Sequence, residues 1–233
     1  GLTLQRLDGS SEKVDGASAF YVTHIDDLPA VDVILVCVKS DDSETVANKL
    51  SETINAAKTI VSLQNGMDNA KLLSSALPNA TVVPGMVAFN VVSSSTGYFT
   101  CATEGAIYLG SGEHIPNLSQ SLNGSGIVTL IEEDMTAVQY SKLMLNLNNA
   151  LNVLSGLPLA EQLRRREWRT VMAACIDEGL AVAKAMGLKP VRIGKVKPAI
   201  IPFVLRLPNF LFIRVASQMM KINPTARTSM CDD

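Results

Sequence analysis

Short apolar runs separated by polar turns fill the first part of the chain, and helical periodicity fills the rest. Gly1 to Val22 alternates loosely, with turn signals at Asp8-Gly9 and Asp15-Gly16, and predicts short strands or a hairpin. His24 to Pro29 predicts a loop or a single helical turn. Val31 to Val38, VDVILVCV, is an almost unbroken β-branched and apolar run, the pattern of a strand buried on both faces of a parallel sheet. Asp41-Asp42-Ser43 then offers N-caps for a helix from about Glu44 through Leu50 and beyond. Thr59 to Leu63 and Ala80 to Met86 predict two further strands, with a helix over Met67 to Leu77 between them. From Ala88 to Gly112 the pattern is strand and turn. Phe99 to Leu109 predicts a hairpin broken near Glu104-Gly105, and Ser93 to Ser95 a flexible loop. Asn117 to Ser125 is polar, and Ile127 to Ile131 predicts a last short strand.

The acidic run Glu132-Glu133-Asp134 precedes the longest helical pattern and favours its N-terminus electrostatically, so the domain boundary is predicted there, giving 1–134 and 135–233. The helix at Tyr140 to Gly156 reads YSKLMLNLNNALNVLSG. With Lys142 as origin, Asn146 and Asn149 lie within about 40° of it, a narrow polar stripe. Leu143, Leu147, Leu151 and Leu154 form an apolar stripe beside it. Asn is a poor helix former, so four Asn in seven residues (146, 148, 149, 152) point to a demand other than helix stability. A Lys with amides one and two turns on can hold a small polar ligand, through a charged donor and groups that donate and accept. The alternative is a solvated Asn-rich face. Pro158 to Met186 predicts one long helix ended by Gly187 and Pro190; its basic triplet Arg164, Arg165 and Arg166 can bind phosphate, but on a helix such a triplet is more often a solvated face. Ala199 to Ala216 is the most apolar stretch, but Arg206, Arg214, Pro202 and Pro208 interrupt it; a buried helix pair or a dimer contact fits better than a membrane span.

Composition narrows the function classes. The 233 residues are 47% hydrophobic and 18% charged with a net charge of −2, which is a globular profile without a basic field for nucleic acid. Four scattered cysteines and two histidines have no metal-ligand spacing; reduced thiols and a cytoplasmic setting are expected, with no zinc site. The chain opens GLTLQRLDGS, without Met or a signal peptide, which reads as a cut. Strands alternating with helices place Lys39 and Asn65-Gly66 just past strand ends, where open parallel sheets bind ligands. The plain alternatives are a solvated Lys and an ordinary Asn-Gly turn.

Four segments in order, VCVKS, SLQNGMDN, YSKLMLNLNNALNVLSG and KINPTARTSMCDD, resemble the ketopantoate reductase (2-dehydropantoate 2-reductase) family. The resemblance implies an α/β Rossmann-type N-terminal domain followed by an all-α domain of the 6-phosphogluconate-dehydrogenase-like type, for substrate binding and dimerisation. It implies NADPH-dependent reduction of ketopantoate, or of a related small 2-keto acid, with NADP as cofactor and a homodimer as the compatible assembly. Carried over by similarity, Lys142 is the catalytic lysine on the reacting oxygen, Asn146 orients the substrate and Ser229 holds its carboxylate. Lys39, Asn65 and Gly66 belong to the cofactor side. Family members usually carry a second Asn four residues after the first; here that position is Ala150, and Asn149 beside it on the stripe is the substitute. No GxGxxG motif occurs in the chain, and a family glutamate about a dozen residues past the terminal Ser-Met lies beyond Asp233. An incomplete Rossmann domain is therefore expected. The competing reading is a non-catalytic, truncated family member serving as a binding or dimerisation module.

Overall fold

A computed structural model describes residues 1–16, 20–27, 29–53, 58–193, 197–216, 228 and 230. The chain divides into two compact units, Gly1–Met135 and Thr136–Asp233.

In the first unit, β1 (Leu2–Gln5) and β2 (Ser11–Val14) form an antiparallel hairpin. Next come β3 (Val33–Val36), α1 (Ser43–Thr53), β4 (Thr59–Ser62), α2 (Asn69–Ala76) and β5 (Thr81–Val87). Then follow β6 (Val91–Ser95), β7 (Tyr98–Cys101), β8 (Ile107–Leu109), α3 (Ile115–Gly124) and β9 (Thr129–Ile131). Among the described residues two sheets result, ordered β2-β1-β7-β6 and β3-β4-β5-β8-β9. Strands β3, β4 and β5 are parallel, joined by α1 and α2 as crossovers, while β8 runs antiparallel to β5. Successive residues of a strand face opposite ways, so Ile60 joins the core under α1 and α2 and Val61 the core under α3.

Several expectations change. The VDVILVCV run is not buried on both faces: its strand is Val33–Val36, at the sheet edge, and Leu35 is 41% exposed. Among the described residues β4 is its one strand neighbour, and the core under α1 and α2 covers one face. Phe99 to Leu109 is not a hairpin. β7 pairs with β6 and β1, whereas β8 joins the other sheet. The chain changes sheets at Gly105, where a Cβ would collide with the Ala88 carbonyl, so the break has a steric cause. Ser93 to Ser95 belongs to β6, with a bulge between Ser93 and Ser95. The polar Asn117 to Ser125 segment lies mostly within α3, whose Ile115, Leu118 and Leu122 meet the core. Asn123 ties that helix to β9, donating to Thr129 O at 3.1 Å and accepting from Thr129 N at 3.0 Å.

In the second unit, α4 (Met135–Ser155) is followed by α5 (Leu159–Arg164), α6 (Arg166–Ala185), α7 (Ile201–Arg206) and α8 (Asn209–Ala216). The Pro158 to Met186 pattern therefore breaks into two helices at Arg165, which has φ −86° and ψ 116°. Arg169 takes up the carbonyls that the break leaves open. It is completely buried; its Nε donates to Leu205 O at 3.0 Å, its Nη1 to Leu163 O at 3.0 Å and Arg164 O at 3.3 Å. Its Nη2 donates to Leu207 O and Asn209 Oδ1, each at 2.9 Å, and the guanidinium stacks 4.0 Å from the Phe212 ring centre. One side chain thus caps the C-termini of α5 and α7 and the start of α8. The stop after α6 follows the expectation. Gly187 has φ 70°, with Gly187 N bonded to Lys184 O at 3.2 Å and Leu188 N to Ala183 O at 2.8 Å, a Schellman cap. The apolar Ala199 to Ala216 stretch becomes α7 and α8, and among the described residues no helix is long and apolar enough to cross a membrane.

Arg169→Leu should destabilise the chain by about 3 kcal/mol or more, because it strands several buried carbonyls. Arg169→Lys should recover little of this, since an ammonium lacks the planar fork. Urea unfolding measures both, and a loss under about 1 kcal/mol for the Leu variant would contradict the capping role.

Candidate active site

At the carboxyl ends of β3 and β4, two loops are joined by side-chain amides and hydroxyls. Gln64, buried two residues past the end of β4, donates from Nε2 to Val38 O at 3.0 Å and to Ser43 Oγ at 2.7 Å. Its Oε1 accepts from Ser62 Oγ at 3.1 Å. Ser43 Oγ donates onward to Asn69 Oδ1 at 3.0 Å. Asn69 Nδ2 donates to Ser40 Oγ at 2.9 Å and Asn65 O at 2.7 Å, bridging the two loops. Gly66 has φ 93°, a backbone shape that favours glycine, so the Asn65-Gly66 turn depends on its second residue. Lys39, Asn65 and Gly66 all lie exposed on this rim. The structure brings these three sequence-singled residues together and adds their supports, Gln64, Ser43 and Asn69. A polar Gln at the end of a fully buried strand was the available signal for those supports.

In the helical unit, Lys142 is half-buried in the second turn of α4, and among the described residues no carboxylate pairs with it. Burial pushes its pKa below the ordinary lysine range. Its neighbour Ser141 is locked, donating to Ala137 O at 2.7 Å and accepting from Val191 N at 2.8 Å. Tyr140 donates its hydroxyl to Gly179 O at 2.8 Å. Met144 packs so closely on Gly179 that a Cβ there would sit 3.3 Å from Met144 Cγ. These contacts hold α4 against α6.

The Leu stripe is not the buried face of α4. Leu143 is exposed and Leu154 is 75% exposed, while Ala137, Ser141, Met144, Asn148 and Asn152 are buried. The four Asn therefore divide. Asn146 and Asn149 lie half-buried on the Lys142 stripe; Asn148 and Asn152 point inward and bond Gln162 of α5. Spacing along one helix cannot reveal this division, because the partner comes from another helix. Arg164, Arg165 and Arg166 are exposed, and Arg165 pairs with Glu161 at 2.8 Å. Ser229 lies outside the described residues.

A family model described as "Ketopantoate reductase PanE/ApbA" matches residues 4–114, and one described as "Ketopantoate reductase PanE/ApbA C terminal" matches 134–233. The chain belongs to the ketopantoate reductase family. A 2-dehydropantoate 2-reductase of Mycobacterium tuberculosis is 26% identical over 159 residues, 68% of this chain and 54% of that protein. The chain thus spans about half the length of the curated relatives it matches. A PanE/ApbA family ketopantoate reductase from Ralstonia eutropha JMP134 superposes with TM-score 0.79 at 24% identity, covering 100% of this chain and 71% of that one. D-mandelate dehydrogenase with NADH and anilino(oxo)acetate superposes with TM-score 0.75 at 15% identity, covering 100% and 71%. The fold is that of the family, a Rossmann-type α/β part followed by a helical part.

Because burial disfavours the Lys142 ammonium, the folded chain releases this proton at a lower pH than the unfolded chain. Between those two pH values the unfolded chain holds more protons, so stability rises with pH; below both, folding carries the full cost of the buried charge. Lys142→Met should therefore unfold at higher urea than the parent at pH 7, and the gap should close above pH about 10.5. Equal midpoints at pH 7 would mean that the ammonium is solvated.

Proposed function

We propose that this chain carries the reductase chemistry of its family, the NADPH-dependent reduction of 2-dehydropantoate to pantoate in pantothenate biosynthesis, or the same reduction of a related small 2-keto acid. In this reading the protein works in the cytoplasm, as a homodimer. The observation that carries it is Lys142: a half-buried ammonium with a lowered pKa, without a carboxylate partner among the described residues, on one stripe with Asn146 and Asn149.

NADPH, when bound, would supply the hydride and leave as NADP. The rim residues fit one side of such a group: Lys39 offers a cation, Asn65 an exposed amide, and Gly66 a turn with positive φ. No GxGxxG loop for the pyrophosphate occurs in the 233 residues. The remaining chemistry belongs to the helical part. Lys142 donates a hydrogen bond to the ketone oxygen. As that oxygen gains negative charge, the ammonium stabilises the transition state more than the ground state. A lowered pKa also favours passing a proton from Nζ to the new alkoxide, which completes the hydroxyl. The amides of Asn146 and Asn149 orient the substrate, and the Ser229 hydroxyl holds its carboxylate. A second reading is a binding or dimerisation module without turnover.

Calorimetric titration of this polypeptide with NADPH and then ketopantoate separates the two. Sequential binding supports the reductase; a folded circular-dichroism spectrum without binding supports the module. Where turnover is measured, Lys142→Ala should lower kcat about 10²–10³-fold. Near-normal turnover in that variant would remove Lys142 from the chemistry.

A further inference from the structure

Hydrogen-bond polarity runs one way through the side chains that support the rim. Gln64 Nε2 reaches Val38 O at 3.0 Å, and a backbone carbonyl only accepts, so the nitrogen end of this amide is fixed. Its second hydrogen goes to Ser43 Oγ at 2.7 Å, while Ser62 Oγ donates to Gln64 Oε1 at 3.1 Å. Ser43, 0% exposed, therefore turns its own hydrogen onward, to Asn69 Oδ1 at 3.0 Å. At the far end Asn69 Nδ2 reaches a second backbone carbonyl, Asn65 O, at 2.7 Å, which fixes the same orientation independently. The other Asn69 Nδ2 hydrogen goes to Ser40 Oγ at 2.9 Å. Two carbonyls, one at each end, give the relay Gln64–Ser43–Asn69–Ser40 a single direction, and each donation strengthens the next. Ser40 is its last member and is exposed. Having accepted from Asn69, its hydroxyl has its own hydrogen to give. The acceptor for it within the protein is Asn65 O at 3.4 Å, a long contact to an oxygen that Asn69 already holds at 2.7 Å. A ligand oxygen at the usual hydroxyl distance of about 2.7 Å makes a better bond.

Charge selects that ligand oxygen. Asp41, Asp42 and Glu44 follow Ser40 within four residues, all exposed, and Lys39 is the one cation of the stretch 39–44. Three carboxylates against one ammonium disfavour a phosphate here and leave an uncharged oxygen, that of a ribose hydroxyl or a carboxamide, as the group that fits. We propose that Ser40 is a further cofactor-side residue, donating its hydroxyl hydrogen to an uncharged oxygen of the dinucleotide, and that Asn69 is the positioning residue that gives the hydroxyl this direction. The proposal rests on the reductase reading, in which Lys39, Asn65 and Gly66 line the same rim. Asn69 is half-buried and acts through the hydroxyl that it orients.

Calorimetric titration with NADPH tests the donor. Ser40 is exposed, so Ser40→Ala keeps the fold, and it should weaken NADPH binding about fivefold, the worth of one hydrogen bond. Ser40→Thr retains the hydroxyl and should restore the parent affinity. Parent affinity in Ser40→Ala overturns the donor role. The ratio of the two affinities should be the same at about 0.05 M and about 0.5 M salt, and a ratio that collapses at high salt overturns the uncharged acceptor. Asn69→Leu neither donates nor accepts; it should weaken binding about threefold in the parent and add little in the Ser40→Ala background. An equal loss in both backgrounds overturns the positioning role. The ligand-free chain gives a separate reading of the relay. Ser43→Ala removes the donor to Asn69 Oδ1 and should speed exchange of the Asn69 carboxamide protons about fivefold, measured by nuclear magnetic resonance. Unchanged exchange there overturns the relay. A parent chain that binds no NADPH defeats the reductase reading and the donor role together, while exchange at Asn69 still decides the relay by itself.

Discussion

Asn148 and Asn152 are buried on α4, and buried amides must have partners. Much of the helical unit follows from that requirement. Gln162 has to lie against them, which sets the position of α5. To bring Gln162 inward and then continue along α6, the chain departs from helical geometry at Arg165. The departure frees the carbonyls of Leu163 and Arg164, and Arg169, one turn into α6, takes them up. The same guanidinium reaches Leu205, Leu207 and Asn209, so the amide pairing on α4 and the placement of α7 and α8 are linked through one buried cation. Along α4, Ser141 and Tyr140 hold the turn that presents Lys142.

The first unit applies the same rule in a different way. Its rim loops are not held by apolar packing, since Lys39, Asn65 and Gly66 are exposed. They are held from beneath by Gln64, Ser43 and Asn69, which join the two loops through hydroxyls and amides. The polar groups beneath the exposed rim order the two loops from below.

The residues that draw attention in the sequence are the exposed or half-buried ones of each unit. Lys142, Asn146 and Asn149 stand out because polar groups recur at helical spacing, and Lys39 and Asn65-Gly66 because they follow apolar strands. The layer beneath is harder to see. Gln64, Gln162 and Arg169 resemble surface residues in composition, and only their partners, 20 to 40 residues away in several bonds, make their burial favourable.

Local chemistry by itself determined the alternation of strands and helices in the first unit, the crossover helices, the Gly187 cap, the long α4 and the polar stripe that carries Lys142. Each depends on residues within one or two turns of each other, or on a period that one segment contains whole. Tertiary structure alone decided the rest. Among the described residues only Val33–Val36 of VDVILVCV forms a strand, and it pairs with β4. Phe99 to Leu109 divided between two sheets because β1 and β5 compete for its halves. The long helix broke at Arg165, and two of four Asn turned inward, because their hydrogen-bond partners come from other elements. A period within one segment specifies a face, but what that face meets is settled by the chain that packs against it.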